Sequence, residues 1–273
     1  MIVIRERLPG GPLVTIRPPE SVVRGGLTLI LPSHNEAPSL RRVVREWWDL
    51  RPPGLDLQIL VVDDASSDDT PTILEELATE MPVRAVRNPV QLGYGGSLRV
   101  GILHTRTDWL ALCDADGQYD PNDLPKLLSN ISDENVLANG WRVQRADPFV
   151  RIAISIGFRG LLATFFRARI KDPTSALKVG RTEHFRDVAE KVRYMNGSFG
   201  NEFMIRWLRA GHSVMPVPVR HLPRQEGSSK IVSRGLVSRV SVQQLIALVR
   251  LWREFHRLDI PADAVPHPTT EQR

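Results

Sequence analysis

Short apolar segments alternate with helix-like patterns in the first half of the chain. Segments that are apolar and precede polar turns are predicted to be strands: 27–31, 57–62, 83–86 and 109–113. Helical spacing predicts helices after the first three of them, at 39–50, at 71–81 and from the end of a polar turn at 91–97 to about 105. The run 109–113 shows no polar alternation, which is typical of a strand buried on both faces. This order predicts an α/β fold with a mostly parallel sheet, in which ligands bind beyond the carboxyl ends of the strands.

The second half has longer helical segments. Strands are predicted at 136–138 and 213–219, and helices at 149–168, 199–210 and 237–255. In the last helix, apolar residues recur at helical spacing while arginines lie off that stripe, so we predict an amphipathic helix.

Composition and charge limit the classes of function. The chain has 42% hydrophobic and 25% charged residues, as soluble globular proteins do. Its single cysteine, Cys113, excludes an internal disulfide and a cysteine-based zinc site. The first residues do not form a secretory signal, and no segment reaches the ~20 apolar residues of a membrane-spanning helix. We therefore expect a cytoplasmic protein, either free or peripheral on the cytoplasmic face of a membrane.

The net charge of +5 permits anionic partners such as phosphates and lipid head groups. The arginines form no compact run and accompany no aromatic stacking motif, so we do not expect a nucleic-acid partner. The helices at 149–168 and 237–255 suit packing on the sheet, and their arginines also suit a membrane interface. The sequence does not indicate an oligomeric state.

Two carboxylates follow the fourth predicted strand. Asp114 and Asp116 are two residues apart, so in an extended backbone both side chains project to one side. Mg²⁺ and Mn²⁺ prefer oxygen ligands and are commonly bound by one or two carboxylates together with a diphosphate, and Gln118 offers a further carbonyl oxygen. The pair alone also fits two solvated strand-end carboxylates, but the motifs around it favour a metal site.

Polar motifs follow the predicted strands in a recognisable order. They are Pro32-Ser33-His34-Asn35-Glu36, Asp63-Asp64-Ala65-Ser66, Gly93-Tyr94-Gly95-Gly96 and Asp114-Ala115-Asp116-Gly117-Gln118. Later blocks are Asp172-Pro173-Thr174-Ser175 and His221-x-x-Arg224-x-x-Gly227-x-Ser229-Lys230. Together they resemble glycosyltransferase family 2, within it the polyprenyl-phosphate branch typified by dolichyl-phosphate mannose synthase. The resemblance covers about 27–230.

The resemblance implies a GT-A fold that binds a nucleotide-sugar. The residues that it implies for this ligand are Pro32, Ser33, Asn35, Glu36, Asp63, Asp64, Gly93, Gly95, Asp114, Ala115 and Arg142. The ligands that it implies for Mg²⁺ or Mn²⁺ are Asp114, Asp116 and Gln118. The implied catalytic residues are Asp116, Arg224, Lys230 and Glu202, and the implied acceptor contacts are Ser175, His221 and Ser229.

The chain departs from its relatives at two places. Many inverting relatives carry a base aspartate where this chain has Asn201-Glu202. Glu202 is therefore interpreted as a helix N-terminal carboxylate or a substrate contact, ahead of a base for a hydroxyl acceptor. Ala176-Leu177-Lys178 replaces a common Gly-x-Arg pattern, which bears on the acceptor pocket.

The implied function is inverting transfer of a hexose from GDP-mannose or a UDP-hexose to a polyprenyl phosphate. One alternative is the same donor chemistry on a soluble hydroxyl acceptor, and another is a non-catalytic nucleotide- or membrane-binding subunit. We divide the chain into five parts. They are an N-terminal extension (1–26), a nucleotide-sugar-binding half (27–140), an acceptor-binding half (141–232), an amphipathic helix (233–258) and a tail (259–273).

Overall fold

The computed structural model describes residues 4–7, 13–16, 23–131, 135–143, 149–223 and 234–256. The strands are β1 Ile4–Arg7, β2 Leu13–Ile16, β3 Val23–Ser33, β4 Leu57–Asp63, β5 Val83–Arg87, β6 Thr107–Leu112, β7 Val136–Arg142, β8 Lys178–Arg181 and β9 Ser213–Val219. The helices are α1 Ala37–Asp49, α2 Thr70–Glu80, α3 Gly93–His104, α4 Leu124–Ser129, α5 Phe149–Phe166, α6 Thr182–Ala189, α7 Phe199–Arg209 and α8 Arg234–His256. Short 3₁₀ turns cover Pro121–Asp123 and Asn196–Ser198.

Seven of the described strands form one sheet, in the order β5-β4-β3-β6-β8-β7-β9. The strand β8 runs antiparallel to its neighbours β6 and β7, and the other pairs in this sheet are parallel. The prediction of a mostly parallel α/β sheet is confirmed. β1 and β2 form a separate antiparallel pair within the segment that we interpreted as an N-terminal extension.

The polar motifs lie at one edge of this sheet. Parallel register places Ser33, the last residue of β3, beside Asp63, the last residue of β4. Because β8 is antiparallel, its first residue, Lys178, pairs with Leu112 at the end of β6. The segment 172–177 that precedes β8 therefore reaches the same edge as the turns that follow the parallel strands.

Helices cover both faces of the sheet. Successive residues of β3 point to opposite faces, so Leu29 and Leu31 pack with α1, α2 and α4, whereas Ile30 packs with α3, α5, α6, α7 and α8. Burial on both faces explains why the central strands are uninterrupted apolar runs. No helix in the described part of the chain is both long and apolar enough to cross a bilayer.

Some short elements were not predicted from the sequence. The strand β8 has four residues, Lys-Val-Gly-Arg, which is too short to show a period. Hydrogen bonds to β6 and β7 define it as a strand, and such context outweighs intrinsic β-propensity. The helices α4 and α6 are also short and lie within segments that carried no clear pattern.

Candidate active site

The acidic pair lies on a tight turn after β6. The strand ends at Leu112, and the chain turns at Ala115 and Asp116, with Gly117 at φ +72°. A left-handed φ of this kind suits glycine, which has no Cβ. The extended backbone that we expected across Asp114 and Asp116 is therefore wrong, although both carboxylates still leave the end of β6.

Neighbouring residues fix this turn in place. The carbonyl of Ala115 accepts a hydrogen bond from the Ser39 hydroxyl group at 3.2 Å, which joins the turn to α1. The backbone N–H of Gln118 donates to Oδ1 of Asp116 at 3.1 Å, and the Tyr94 hydroxyl group hydrogen-bonds the carboxylate of Asp114. Asp116 is only 8% exposed, so its carboxylate is largely removed from bulk water.

The donor set suits a cation shared with a diphosphate. Among the described residues, no cluster of three or more His, Cys, Asp or Glu side chains could hold a metal ion by itself. Two carboxylates at one turn match Mg²⁺ or Mn²⁺, which commonly takes one or two carboxylates and completes its shell with substrate phosphates and water.

Gln118 and Tyr119 join the acidic turn to the segment after β9. The side-chain amide of Gln118 donates to the carbonyl of Leu222 at 3.1 Å, and the Leu222 N–H donates to the carbonyl of Gln118 at 2.8 Å. Tyr119 and His221 form an isolated antiparallel bridge, with their rings edge to face at 5.6 Å. The predicted contacts Arg224, Ser229 and Lys230 follow directly but lie outside the described residues.

The two aspartates after β4 accept hydrogen bonds from the protein. Both oxygens of Asp64 are engaged, since Asn88 Nδ2 and the N–H groups of Leu92 and Gly93 donate to them at 2.8, 2.7 and 2.8 Å. Asp63 accepts the Ser66 N–H at 2.9 Å and pairs with Arg87 at 2.6 Å. These contacts hold the nucleotide-side turns together, and direct contact with a nucleotide stays a prediction.

The turn after β3 is locked to the turn after β4. Asn35 has φ +54°, its N–H donates to the Ser66 hydroxyl group at 2.9 Å, and its side-chain oxygen accepts the Ser67 N–H at 2.8 Å. The Glu36 N–H donates to Thr70 Oγ1 at 3.2 Å. Predicted ligand residues thus build one polar shelf across β3 and β4.

Beside this shelf, Pro32 is half-buried and Ser33 is buried. The Ser33 hydroxyl group has no hydrogen-bond partner among the residues that the structure describes. A buried hydroxyl without a partner is unfavourable, and the atom is enclosed by the protein, so direct contact of Ser33 with a nucleotide stays a prediction.

The start of α3 closely approaches the loop before α7. A Cβ added to Gly95 would lie 2.5 Å from Oδ1 and 2.7 Å from the carbonyl of Asn196, so a side chain here would require the loop to move. Asn196 Nδ2 donates to the carbonyl of Leu92 at 2.8 Å, immediately before the predicted ligand residue Gly93.

A cavity of about 270 Å³ lies between the end of β7 and α5. Its lining residues are Trp141, Arg142, Val143, Ile152, Ser155, Ile156, Arg159 and Asp172. Arg142 lies in its wall, where Nε and Nη2 donate to the two oxygens of Asp172 at 2.7 Å each, and Nη2 also donates to Thr174 Oγ1 at 3.0 Å. The cavity therefore combines apolar side chains with two guanidinium groups.

Ser175 and Lys178 are buried beneath the same edge. The Tyr119 and Ser175 hydroxyl groups are 3.2 Å apart, and the Ala176 N–H donates to the Tyr119 oxygen at 2.8 Å. Lys178 Nζ donates to the carbonyls of Pro173, at 3.2 Å, and Ser175. Burial lowers the pKa of Lys178 to about 7, although the nearby Asp172 carboxylate opposes this shift. Ser175 thus supports the loop from within.

Glu202 anchors a loop of the protein. It is fully buried, and its carboxylate accepts the N–H groups of Arg193, Tyr194 and Met195 at 2.9, 2.7 and 2.9 Å. Arg206 Nε donates to the same group at 2.8 Å. A carboxylate with four protein donors and no solvent exposure is poorly suited to accept a substrate proton, and these contacts favour a structural role for Glu202 over the role of a base.

Sequence analysis missed residues that act through contacts between distant segments. The spacing of Glu202 and Arg206 matches an i, i+4 ion pair on a predicted helix and could have indicated their contact. Asn196 and Glu254 had no local signal, because their partners are distant in sequence.

The chain is similar in sequence to known glycosyltransferases. A family model described as Glycosyl transferase family 2 matches residues 28–192. The chain is 30% identical over 219 residues to a dolichol-phosphate mannosyltransferase of Pyrococcus furiosus, which covers 77% of this chain and 60% of that protein. It is 28% identical over 222 residues to an undecaprenyl-phosphate mannosyltransferase of Micrococcus luteus, which covers 78% of this chain and 90% of that protein.

Among solved structures, the chain is similar to glucosyl-3-phosphoglycerate synthase of Mycobacterium tuberculosis, in complex with Mn²⁺, uridine-diphosphate-glucose and phosphoglyceric acid. The TM-score is 0.63 at 19% identity, over 84% of this chain and 80% of that one. This likeness concerns the fold, and it confirms the predicted GT-A architecture.

Proposed function

Since the chain belongs to glycosyl transferase family 2, we propose that this glycosyltransferase is a metal-dependent, inverting enzyme that moves a hexose from a nucleotide-sugar to a polyprenyl phosphate. Its resemblance to polyprenyl-phosphate mannosyltransferases extends over most of the chain. The observation that favours a lipid phosphate as the acceptor is the cavity between β7 and α5, because apolar side chains and arginine side chains line it together.

In this proposal the nucleotide-sugar lies on the shelf formed by the turns after β3 and β4. Pro32, Asn35 and Glu36 would contact the nucleoside, while Asp63 and Asp64 keep the turns in place. Asp64 already accepts the N–H groups of Leu92 and Gly93, so the N–H groups that follow Gly93 in the first turn of α3 would face the diphosphate. Asp114 and Asp116 would hold the cation that the diphosphate shares.

The proposed step is one displacement at the anomeric carbon. A phosphate oxygen of the acceptor attacks from the face opposite the diphosphate, the new C–O bond forms, and the old bond breaks with its electron pair on the nucleoside diphosphate. A divalent cation, when bound, would neutralise the charge that develops on this leaving group. A phosphate monoester has a second pKa near ~6, so it is largely a dianion at neutral pH and needs no strong general base. The engagement of Glu202 with protein donors is compatible with this reaction.

The acceptor would lie along the cavity. The resemblance implied Arg142 for the nucleotide-sugar, but it lies in the cavity wall, so we assign it to the acceptor phosphate instead. Asp172 holds its guanidinium group in place, and a fixed guanidinium suits recognition of a phosphate. Ile152 and Ile156 offer apolar surface to the first part of a lipid chain. A small polar acceptor would gain little from these side chains, which supports the lipid.

Exposed apolar side chains next to arginines support contact with a membrane surface. On α5 they are Ile154 and Ile156, and on α8 they are Val242, Leu245, Ile246 and Val249. Arg159, Arg250 and Arg253 are exposed on the same helices. Apolar residues flanked by arginine are typical of helices that lie in an anionic interface, from which a lipid acceptor would be taken.

An acceptor panel tests this proposal. Purified protein with Mn²⁺ receives GDP-mannose or a UDP-hexose and one of three acceptors: a short polyprenyl phosphate, 3-phosphoglycerate or a free saccharide. We expect an organic-extractable sugar phospholipid from the first mixture, detected by thin-layer chromatography and mass spectrometry. If only the saccharide gives product, the proposal of a phosphate acceptor is wrong. If only 3-phosphoglycerate gives product, the proposal of a lipid acceptor is wrong.

A further inference from the structure

The loop from Arg193 to Ser198 depends on one carboxylate for its shape. This loop lies between α6 and α7, and three successive N–H groups, of Arg193, Tyr194 and Met195, point at Glu202. A loop outside the sheet has few backbone partners, and such segments open at a low cost in free energy. Glu202 therefore sets where this loop sits.

The C-terminal helix α8 contacts this anchor and the far end of the loop. Arg206 donates through Nε to Glu202 and through Nη1 and Nη2 to the two oxygens of Glu254 on α8, at 3.0 and 3.1 Å. The hydrogen bond from Arg206 lowers the pKa of Glu254 below its ordinary value. Gln244 of α8 donates to the Ser198 hydroxyl group. The guanidinium group thus bridges two carboxylates from different helices, which a lysine ammonium could not do in the same geometry.

The other side of the loop contacts the candidate donor site. Asn196 donates to the carbonyl of Leu92 at 2.8 Å and fills the space above Gly95. The N–H groups of Leu92 and Gly93 both donate to Asp64, on the shelf assigned to the nucleotide. Hydrogen bonds, together with the backbone of residues 193–196, therefore connect α8 to the start of α3.

We propose that α8 is a positioning element for the donor site. Through Glu254, Arg206 and Glu202 it fixes the Arg193–Ser198 loop, and Asn196 of that loop fixes the turn at Gly93. None of these side chains needs to touch substrate. The inference rests on the proposed function only for what binds at that turn, and the mechanical link itself concerns the protein alone.

Hydrogen–deuterium exchange of the full-length protein tests the link without any substrate. We compare the wild type with Arg206→Lys, which keeps the charge but loses the fork, and with Glu254→Gln. We expect the amides of 193–196 and of 92–97 to exchange about tenfold faster in Arg206→Lys, while β4 is unchanged. The increase should be smaller in Glu254→Gln, because Arg206 keeps Glu202.

Leu77→Ala is the matched control, since it removes a fully buried apolar side chain of α2 in the core on the other face of the sheet, away from α8 and the loop. It should lower the overall stability and leave 92–97 at the wild-type exchange rate under native conditions. If Arg206→Lys does not speed exchange at 92–97, or if Leu77→Ala speeds it equally, the proposal is wrong and the network is merely structural.

Nucleotide binding gives a second readout. Calorimetry with UDP and Mn²⁺, and with GDP and Mn²⁺, should show a Kd about fivefold to tenfold higher in Arg206→Lys for whichever nucleotide binds the wild type. In turnover assays the donor KM should rise similarly, with kcat at saturating donor unchanged. If neither nucleotide binds the wild type, the proposed function fails, whereas the exchange experiment still decides the link.

Discussion

The proposed donor side and the proposed acceptor side of the sheet edge are built differently. On the donor side, the turns that directly follow β3 and β4 bind each other, as Asn35 does with Ser66 and Ser67. On the acceptor side, Arg142 at the end of β7 pairs with Asp172 in the segment that precedes β8. The donor side is a set of adjoining turns, whereas the acceptor side is a cavity between a strand and a helix.

This difference in construction indicates how much substitution each side can tolerate. Turns locked by backbone hydrogen bonds tolerate little change, because each N–H and carboxylate has a specific partner. A cavity lined by side chains can be reshaped by single substitutions. We therefore expect the reaction chemistry to belong to the donor side and the choice of acceptor to belong to the acceptor side, and the variants below test that division.

The largest effect is expected for Asp116→Ala. Removing this carboxylate should lower kcat/KM by about 10³-fold or more, because the cation that we propose at this turn would lose a ligand. Binding of the polyprenyl phosphate, measured by fluorescence with a labelled lipid, should be unchanged. Asp49→Ala, which removes an exposed carboxylate at the end of α1, is the control and should be fully active. Full activity of Asp116→Ala would exclude the metal site as we describe it.

Sequence patterns predicted the position of the polar motifs at one edge of the sheet for a physical reason. Each motif directly follows a strand, and parallel register then brings the motifs together. Asp114 and Asp116 follow the end of β6 as expected, although the turn at Gly117 was not foreseen, since a left-handed residue leaves little trace in a short polar segment.

The acceptor side and the anchoring network were harder to predict. The contact of Arg206 with Glu254 joins residues on α7 and α8, and neither spacing nor composition relates them. Glu202 illustrates the limit most clearly: the sequence favoured a helix N-terminal carboxylate or a substrate contact over a base, but the loop amides that it binds became known only from the fold. Lys178 is similar, since its burial depends on the fold of the preceding loop.

The second-largest effect is expected on the stability of the fold, at the pair that lines the proposed acceptor cavity. Arg142 and Asp172 form a buried, bidentate pair, and loss of one partner leaves a buried charge uncompensated. Arg142→Met should lower the free energy of unfolding by about 3–5 kcal/mol in urea titrations. The double variant with Asp172→Asn should recover part of this loss, and nucleotide binding should survive in both. A single variant as stable as the wild type would contradict the pairing.

A smaller effect is expected in the pH dependence of stability. Lys178 has a pKa of about 7 in the folded protein against 10.5 ordinarily, so between these values the unfolded chain binds more protons at this position. The contribution of Lys178 to the free energy of unfolding therefore rises with pH from about 7 to 10 and is flat below that interval. Lys178→Met should lower the slope of stability against pH in this interval by up to about 1.4 kcal/mol per pH unit, whereas Lys191→Met, at an exposed site, should keep the wild-type slope.

The smallest effect separates the membrane surface from the chemistry. Ile246→Gln on α8 replaces an exposed apolar side chain and should weaken binding to vesicles of phosphatidylcholine and phosphatidylglycerol by about fivefold in sedimentation assays, as loss of roughly 1 kcal/mol of apolar burial predicts. Leu50→Gln, equally exposed but at the end of α1, is the control and should bind vesicles as the wild type does. Transfer to a detergent-dispersed acceptor should be the same in all three proteins, because neither side chain lies at the edge of the sheet where the reaction occurs. Equal vesicle binding by both variants would show that this face of α8 does not contact the membrane. Of the surfaces that we propose for the lipid, the cavity beside α5 would then remain.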